Sequence, residues 1–386
     1  MKIHERYSIA EKMFMGKGFW IVFLPLRFLL SLFFISWLKI KWQFNDNQTG
    51  LLKRKNEVSK VKDLSSRVIS VGNIVVGGGG KTPCVIAIAE EIKRNDGMPV
   101  VITRGYGSLA EKVKRPIVIS KGINLNCREG DYLTEADFAD ERESILSDRL
   151  FARRFGDEVS IYKQLGISVV IDFNRARGAE LADKLLNPTD ILLDDAYQNK
   201  SLKKDKNILL LDYKLPFDGG RVLPLGSLRE KPEAVKRADL IIFTRAEGEE
   251  VPPEVSGLIR GKRVYFSRHE FCCLYGRNGQ RISPWKLKQR RLVLYSGIAF
   301  HASFEDMVSN EISIPSASFR YSDHYRYNKD DIESMITEAG KGACYLTTEK
   351  DWFKTHELFP ESIELYAVSM KMVFRKSDLR EICSGD

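Results

Sequence analysis

At 386 residues the chain is too long for one small core, so two domains with an appended segment are expected. Hydrophobic residues at 43% and charged residues at 29% are ordinary for a globular protein, and a net charge of +9 suits an acidic partner: a nucleotide, a phospholipid, an anionic glycolipid or nucleic acid. Six cysteines (84, 127, 272, 273, 344 and 383) form no C-x-x-C pair, which argues against a zinc site or a disulfide framework.

Residues 1–17 are mixed and basic. Residues 18–38, GFWIVFLPLRFLLSLFFISWL, are mostly apolar over about 20 residues, the length needed to cross a bilayer. No small-residue cleavage site follows, which argues against a cleaved signal peptide. Arg27 in mid-run, with Pro25 before it, is costly in a spanning helix. Trp20 and Trp37 near the ends, and Lys39 and Lys41 beyond them, suit an interfacial anchor. Residues 1–45 are therefore expected to form a membrane-associated helix, with spanning and insertion both left open. Residues 43–63 are polar and charged, as in a connector.

From Val68 onward, short continuous apolar runs alternate with helical stretches. Such runs fit strands covered on both faces. They occur at Val100 to Thr103, Pro116 to Ser120, Val169 to Asp172, Asp190 to Asp195, Ile208 to Asp212, Leu240 to Thr244, Arg263 to Ser267, Leu292 to Ser296 and Ala343 to Thr348. The pattern predicts an α/β fold: a P-loop NTPase-like, doubly wound, mostly parallel sheet over residues 46–270. A smaller C-terminal α/β domain is expected over 271–386. Residues 121–155 are rich in Asp, Glu and Arg and read as a solvated, partly helical insertion.

The chemistry centres on Val71 to Pro83, VGNIVVGGGGKTP. An apolar strand leads in, Gly77, Gly78, Gly79 and Gly80 follow, then Lys81 and Thr82 open a helical run. Glycines let backbone N–H groups turn toward a polyphosphate, and the helix N-terminus adds positive potential. Lys81 would reach the β/γ-phosphates of a nucleotide, and the Thr82 hydroxyl would hold Mg²⁺. The usual spacing G-x-x-x-x-G-K-[ST] wants glycine at 75, where this chain has Val75, followed by Val76. Asp194 and Asp195 close an apolar strand, where a carboxylate can hold a metal or simply cap a turn. Asp157, in Gly156-Asp157-Glu158, is one of many acids that could take a hydroxyl proton. For His324, a structural and a catalytic role both stay open from position alone.

With these residues set out, the chain resembles the tetraacyldisaccharide 4'-kinases, the lipid A 4'-kinases of outer-membrane-bearing bacteria. The likeness rests on an ordered set of blocks along most of the chain. They are VGNIVVGGGGKTP, Arg104-Gly105-Tyr106-Gly107, Gly156-Asp157-Glu158, Leu193-Asp194-Asp195 with Gln198, and Gly220-Arg221-Val222-Leu223-Pro224 with Leu228-Arg229-Glu230. Ser296-Gly297-Ile298-Ala299, Asp323-His324-Tyr325 and Thr347-Thr348-Glu349-Lys350-Asp351 complete the set. The resemblance implies ATP- and Mg²⁺-dependent phosphorylation of the 4'-hydroxyl of a tetraacylated glucosamine disaccharide 1-phosphate at the cytoplasmic face of the inner membrane. It implies that Lys81 stabilises the transferring phosphoryl and that Asp157 is the base with His324 as partner. It further implies that Val75 to Gly80 and Arg229 line the nucleotide, and that Thr82, Asp194, Asp195 and Glu230 serve the metal. A cleft closing between two domains would bring His324 to Asp157. The partners expected are an acylated disaccharide lipid and the membrane interface, with the chain acting as a monomer. No nucleic-acid motif accompanies the basic charge. A membrane-attached NTPase that switches a protein partner is the other function compatible with a P-loop.

Overall fold

Strand β2 (Arg67–Asn73) is where the architecture begins to make sense, because six of its seven residues are buried. Alternate side chains go to opposite faces of a strand. Ile69 and Val71 pack with Val85, Ile88 and Ile92, whereas Val68 packs with Ala179 and Ala182. Helices therefore cover both faces, and the run is continuously apolar for that reason. The computed structural model describes residues 2–6, 64–120, 132–138, 147–340 and 342–384.

The other strands of this first sheet are β3 (Pro99–Thr103), β4 (Ile117–Ile119), β5 (Leu133–Thr134), β6 (Ser168–Ile171), β7 (Asp190–Asp194), β8 (Lys206–Asp212), β9 (Leu240–Thr244) and β10 (Arg263–Phe266). They lie in the order β10-β9-β8-β2-β7-β3-β6-β4-β5. Pairing is parallel throughout except between β4 and β6. This is the doubly wound, mostly parallel α/β sheet expected from the sequence. β2 lies between β7 and β8, so its carboxyl end faces the crevice where such sheets bind ligands.

The second sheet contains β1 (Lys2–Arg6), β11 (Arg268–Tyr275), β12 (Arg281–Ile282), β13 (Leu292–Ser296), β14 (Ala317–Tyr321), β15 (Cys344–Thr348) and β16 (Leu365–Val373). Its strands lie in the order β1-β14-β13-β15-β16-β11-β12. Its edge strand β1 (Lys2–Arg6) pairs parallel with β14, so the extreme N-terminus joins the C-terminal sheet. The chain passes from one sheet to the other at Ser267, which is buried and donates its N–H to Phe243.

Helix α1 (Lys81–Arg94) follows the glycine loop, and Lys93 and Arg94 lie in its last turn, where the helix dipole favours cations. Helices α2 (Asp148–Phe155) and α3 (Asp157–Gln164) pack on the same side of the first sheet, and α4 (Arg175–Leu186) lies on the other. The short α5 (Pro253–Ser256) precedes β10. In the second half, α6 (His301–Glu311) covers one face of the sheet, while α7 (Lys329–Ala339) and α8 (Glu349–Thr355) cover the other. Helix α9 (Lys376–Cys383) returns to the first sheet: Ile382 is buried in that core, and Lys206 Nζ donates to the carbonyls of Ile382 and Ser384 at 2.9 and 2.8 Å.

The segment 18–38, expected to be membrane-associated, lies outside the described residues. Among the described residues no helix is long and apolar enough to cross a membrane. In the charged 121–155 stretch, α2 is capped by Ser147 and buries Phe151, Ala152 and Phe155. That part is an amphipathic helix seated on the core rather than a solvated insertion.

Candidate active site

The loop after β2 owes its shape to glycine at two places. Gly77 and Gly80 have φ of 105° and 80°, conformations that favour glycine. A Cβ at Gly79 would approach Asn73 Nδ2 to 2.5 Å, so the loop wraps closely around its own lead-in. A strap from the first half holds it: Val75 bridges to Leu228, Val76 N donates to Ser227 O at 2.8 Å, and Arg229 N to Ile74 O at 2.7 Å. The pairing uses backbone groups, so valine at 75 serves where the usual spacing wants glycine.

Lys81 Nζ turns back over this loop. It lies 3.2 Å from Gly77 O, 3.4 Å from Asn73 Oδ1 and 3.9 Å from Asp195 Oδ1. Arg229 grips Asp195 with one guanidinium nitrogen, at 2.8 and 3.0 Å from its two oxygens. Burial would raise the Asp195 carboxyl, but Lys81 and Arg229 outweigh it and hold it below the usual range. Its neighbour differs. Asp194 is 2% exposed and accepts from Tyr162 Oη at 2.8 Å, while its Oδ1 has no partner. Burial, then the charges of Glu158 and Asp195, push it up to about 7.

Thr82 Oγ1 donates to Glu158 Oε1 at 2.8 Å, and Lys350 Nζ lies 2.7 Å from the same oxygen. Beside Glu158, Asp157 is 7% exposed. Its Oδ2 lies 3.2 Å from His324 Nδ1 and 3.6 Å from Lys354 Nζ. Burial would raise Asp157, yet the His324 hydrogen bond and the charges of Lys354, His324 and Lys350 win, holding it well below the carboxylate range. For His324 burial works downward, and the bond to Asp157 reverses it, so the imidazole is shifted up. The Tyr106 ring meets the imidazole edge-on, with centroids 5.5 Å apart.

The cleft between the two sheets is lined by Val76 to Gly80, Lys81, Thr82, Asp195, Arg229 and His324, while Val75, Asp194 and Asp157 adjoin these lining residues without lining it themselves. Glu230 also lines it, but its Oε1 accepts from Arg237 at 2.8 Å. Four side chains not singled out from sequence complete the site. Glu158 lies next to an expected base, Tyr162 is the partner of Asp194, and Lys350 and Lys354 meet the two acids. The signals were there: Glu158 and Lys350 belong to the quoted blocks, and Lys350 and Lys354 stand four apart on a helix.

The cavity measures about 1440 Å³, above the ~300–1,000 Å³ usual for small-molecule pockets, so it can hold more than a nucleotide. Six exposed apolar side chains line it: Val76, Tyr106, Phe173, Leu215, Leu223 and Phe300. They put greasy surface beside the phosphate loop. The donor set also suits Mg²⁺. The unpartnered Asp194 oxygen, Asp195 and the Thr82 hydroxyl are hard oxygen ligands. Among the described residues no three His, Cys, Asp or Glu converge as a metal cage, and Mg²⁺ with a phosphate substrate needs only one or two carboxylates.

A glycine loop between a buried strand and a helix, with lysine and threonine opening the helix and paired aspartates on the adjacent strand, defines a P-loop phosphate-binding protein of the phosphotransferase type. The model of the tetraacyldisaccharide-1-P 4'-kinase family matches residues 48–131 and 109–384. A tetraacyldisaccharide 4'-kinase of Geobacter sulfurreducens is 34% identical over 316 residues, covering 82% of each chain. That of Aquifex aeolicus is 33% identical over 298 residues, covering 76% of this chain and 81% of its own. The crystal structure of LpxK from Aquifex aeolicus in complex with ATP superposes with a TM-score of 0.59 at 27% identity, covering 93% of this chain and 96% of that one. The chain belongs to the tetraacyldisaccharide-1-P 4'-kinase family.

Proposed function

We propose that this chain moves the γ-phosphoryl group of ATP to the 4'-hydroxyl of a tetraacylated disaccharide 1-phosphate. The observation that supports this reading is the Asp157–His324 pair: His324 lines the same cleft as Lys81 and Thr82, and Asp157, 3.2 Å from it, would serve as base for an acceptor hydroxyl entering there. A nucleotide switch needs no such base.

In this mechanism the Val75 to Gly80 backbone cradles the phosphates, and Lys81 leaves Gly77 O to follow the charge on the transferring group. Arg229, already on Asp195, keeps that carboxylate from capturing Lys81 outright. Thr82, Asp194 and Asp195 would hold Mg²⁺, which when bound neutralises charge on the phosphate oxygens. Glu230 would have to release Arg237 to join them. Asp157 takes the proton of the 4'-hydroxyl as its oxygen bonds to the γ-phosphorus, and the bond to the β-phosphate oxygen breaks with ADP leaving. His324 orients Asp157 and shares its proton.

The apolar rim of the cleft suits an acceptor whose acyl chains stay in a bilayer, and ATP is cytosolic. We therefore assign the work to the cytoplasmic face of the inner membrane, with residues 18–38 as anchor. One chain supplies loop, base and histidine, so a monomer suffices.

The test is phosphate transfer from γ-labelled ATP to a tetraacyl disaccharide 1-phosphate in detergent micelles with Mg²⁺. Wild type should give a labelled 1,4'-bisphosphate, and Lys81→Ala and Asp157→Ala should each suppress it strongly. ATP hydrolysis indifferent to the lipid, with no labelled lipid formed, would point to an NTPase switch.

A further inference from the structure

Helix α8 does more than cover its own sheet. Thr348 caps its start, accepting from Asp351 N at 3.2 Å. Residues four apart share a helix face, so Lys350 and Lys354 project together. They meet two acids that are themselves adjacent, Asp157 and Glu158, at the first turn of α3. Lys350 takes Glu158, 192 positions away, at 2.7 Å. Lys354 lies 3.6 Å from Asp157 and 2.8 Å from Asp351.

The same helix also reaches the histidine. Asp351, fully buried, accepts from Gly297 N at 2.9 Å, and Gly297 O accepts from His324 N at 3.1 Å. His324 and Glu158, on either side of the proposed base, are thus both tied to α8. Glu158 passes the tie on to the phosphate loop through its 2.8 Å bond with Thr82.

We propose that Lys350 and Lys354 are positioning residues for phosphoryl transfer: Lys350 fixes Thr82 through Glu158, and Lys354 fixes Asp157, both from one helix of the second sheet. This rests on the kinase reading above. Neither lysine need touch the reacting atoms. Each holds a neighbouring acid in the single orientation that serves the cleft, and a misplacement of about 1 Å can cost on the order of 100-fold in rate.

The experiment uses the full chain in micelles with ATP, Mg²⁺ and tetraacyl disaccharide 1-phosphate, scoring kcat and the two KM values separately. Lys350→Met and Lys354→Met should each lower kcat by about 10- to 100-fold and leave both KM values within about threefold. Lys350→Arg and Lys354→Arg keep the charge and should recover most of the loss. In a Glu158→Gln background Lys350→Met should cost nothing further, because its effect runs through Glu158.

A kcat within twofold of wild type for either methionine variant would overturn the assignment of that lysine. So would a full additional loss from Lys350→Met in the Glu158→Gln background. Arginine variants as impaired as the methionine ones, with melting temperatures lowered alike, would reduce the lysines to mere glue between the sheets. If wild type itself forms no bisphosphate, the kinase reading falls and this inference with it. Turnover by wild type with indifferent variants removes the inference alone.

Discussion

The Nδ1 atom of His324 lies 3.2 Å from Oδ2 of Asp157, although 167 positions separate them in the chain. Asp157 opens a helix of the first sheet and His324 hangs from the second, at a φ of 56°. The pair exists only because the two halves face each other. Replacing Asp157 by Asn should lower kcat by about 10³-fold, within the range for loss of a general base, and His324→Ala by about 10². Single-turnover transfer of labelled phosphate, with ATP binding measured in parallel, separates this from a binding defect.

Gly80 should be intolerant for a reason independent of catalysis. Its φ of 80° costs an L-residue about 1–2 kcal/mol, and a Cβ would stand 2.9 Å from Met372 Cε. Gly80→Ala should lower the urea midpoint and weaken ATP binding. Gly342→Ala, where a Cβ meets nothing within 4 Å, should stay within about 0.5 kcal/mol of wild type. Equal stability of the two variants would refute the strain.

Acid should weaken the fold through His301. It is 6% exposed, between Ser296 Oγ and Ser318 Oγ at 2.6 Å each. Burial, then the Arg320 charge, bring it down to about 4. Between its unfolded value near 6.5 and about 4, the unfolded chain binds a proton that the folded chain refuses. Stability therefore falls with falling pH in that window, by up to about 1.4 kcal/mol per unit. Urea titrations at pH 7 and pH 5 should show a smaller pH effect in His301→Gln than in wild type.

Lys206 is 8% exposed, and its ammonium serves the carbonyl end of α9. Lys206→Met should leave those carbonyls short of a donor, at a cost of about 1–3 kcal/mol. Amide exchange of residues 376–383 should quicken well before that of β2. Unchanged exchange there would show that apolar packing of Leu379, Ile382 and Cys383 is enough to hold the helix down.

Much of the first sheet was readable, because parallel strands buried on both faces advertise themselves as unbroken apolar runs. Val68 to Val71, Asp190 to Asp195 and Leu240 to Thr244 are of that kind. Two strands of the second sheet were harder to read for the opposite reason. Leu365–Val373 mixes Ser369 and Lys371 into its run, and Lys2–Arg6 has Ile3 as its one apolar residue. The phosphate loop was legible as a local motif with a mechanical meaning. The assignment of Asp157 as base with His324 as partner came only through the ordered blocks of the family resemblance: read from its own residues Asp157 was one acid among many. The spacing of Lys350 and Lys354 put them on one helix face but could not say that this face meets Asp157 and Glu158.

The return of α9 to the first sheet has a mechanical consequence. Besides the passage from β1 to β2, the chain crosses between the halves at Ser267 and again after Val373, and each of these two crossings leads into a packed element. These short tethers limit how far the second half, and α8 with it, can draw away from the acids it meets.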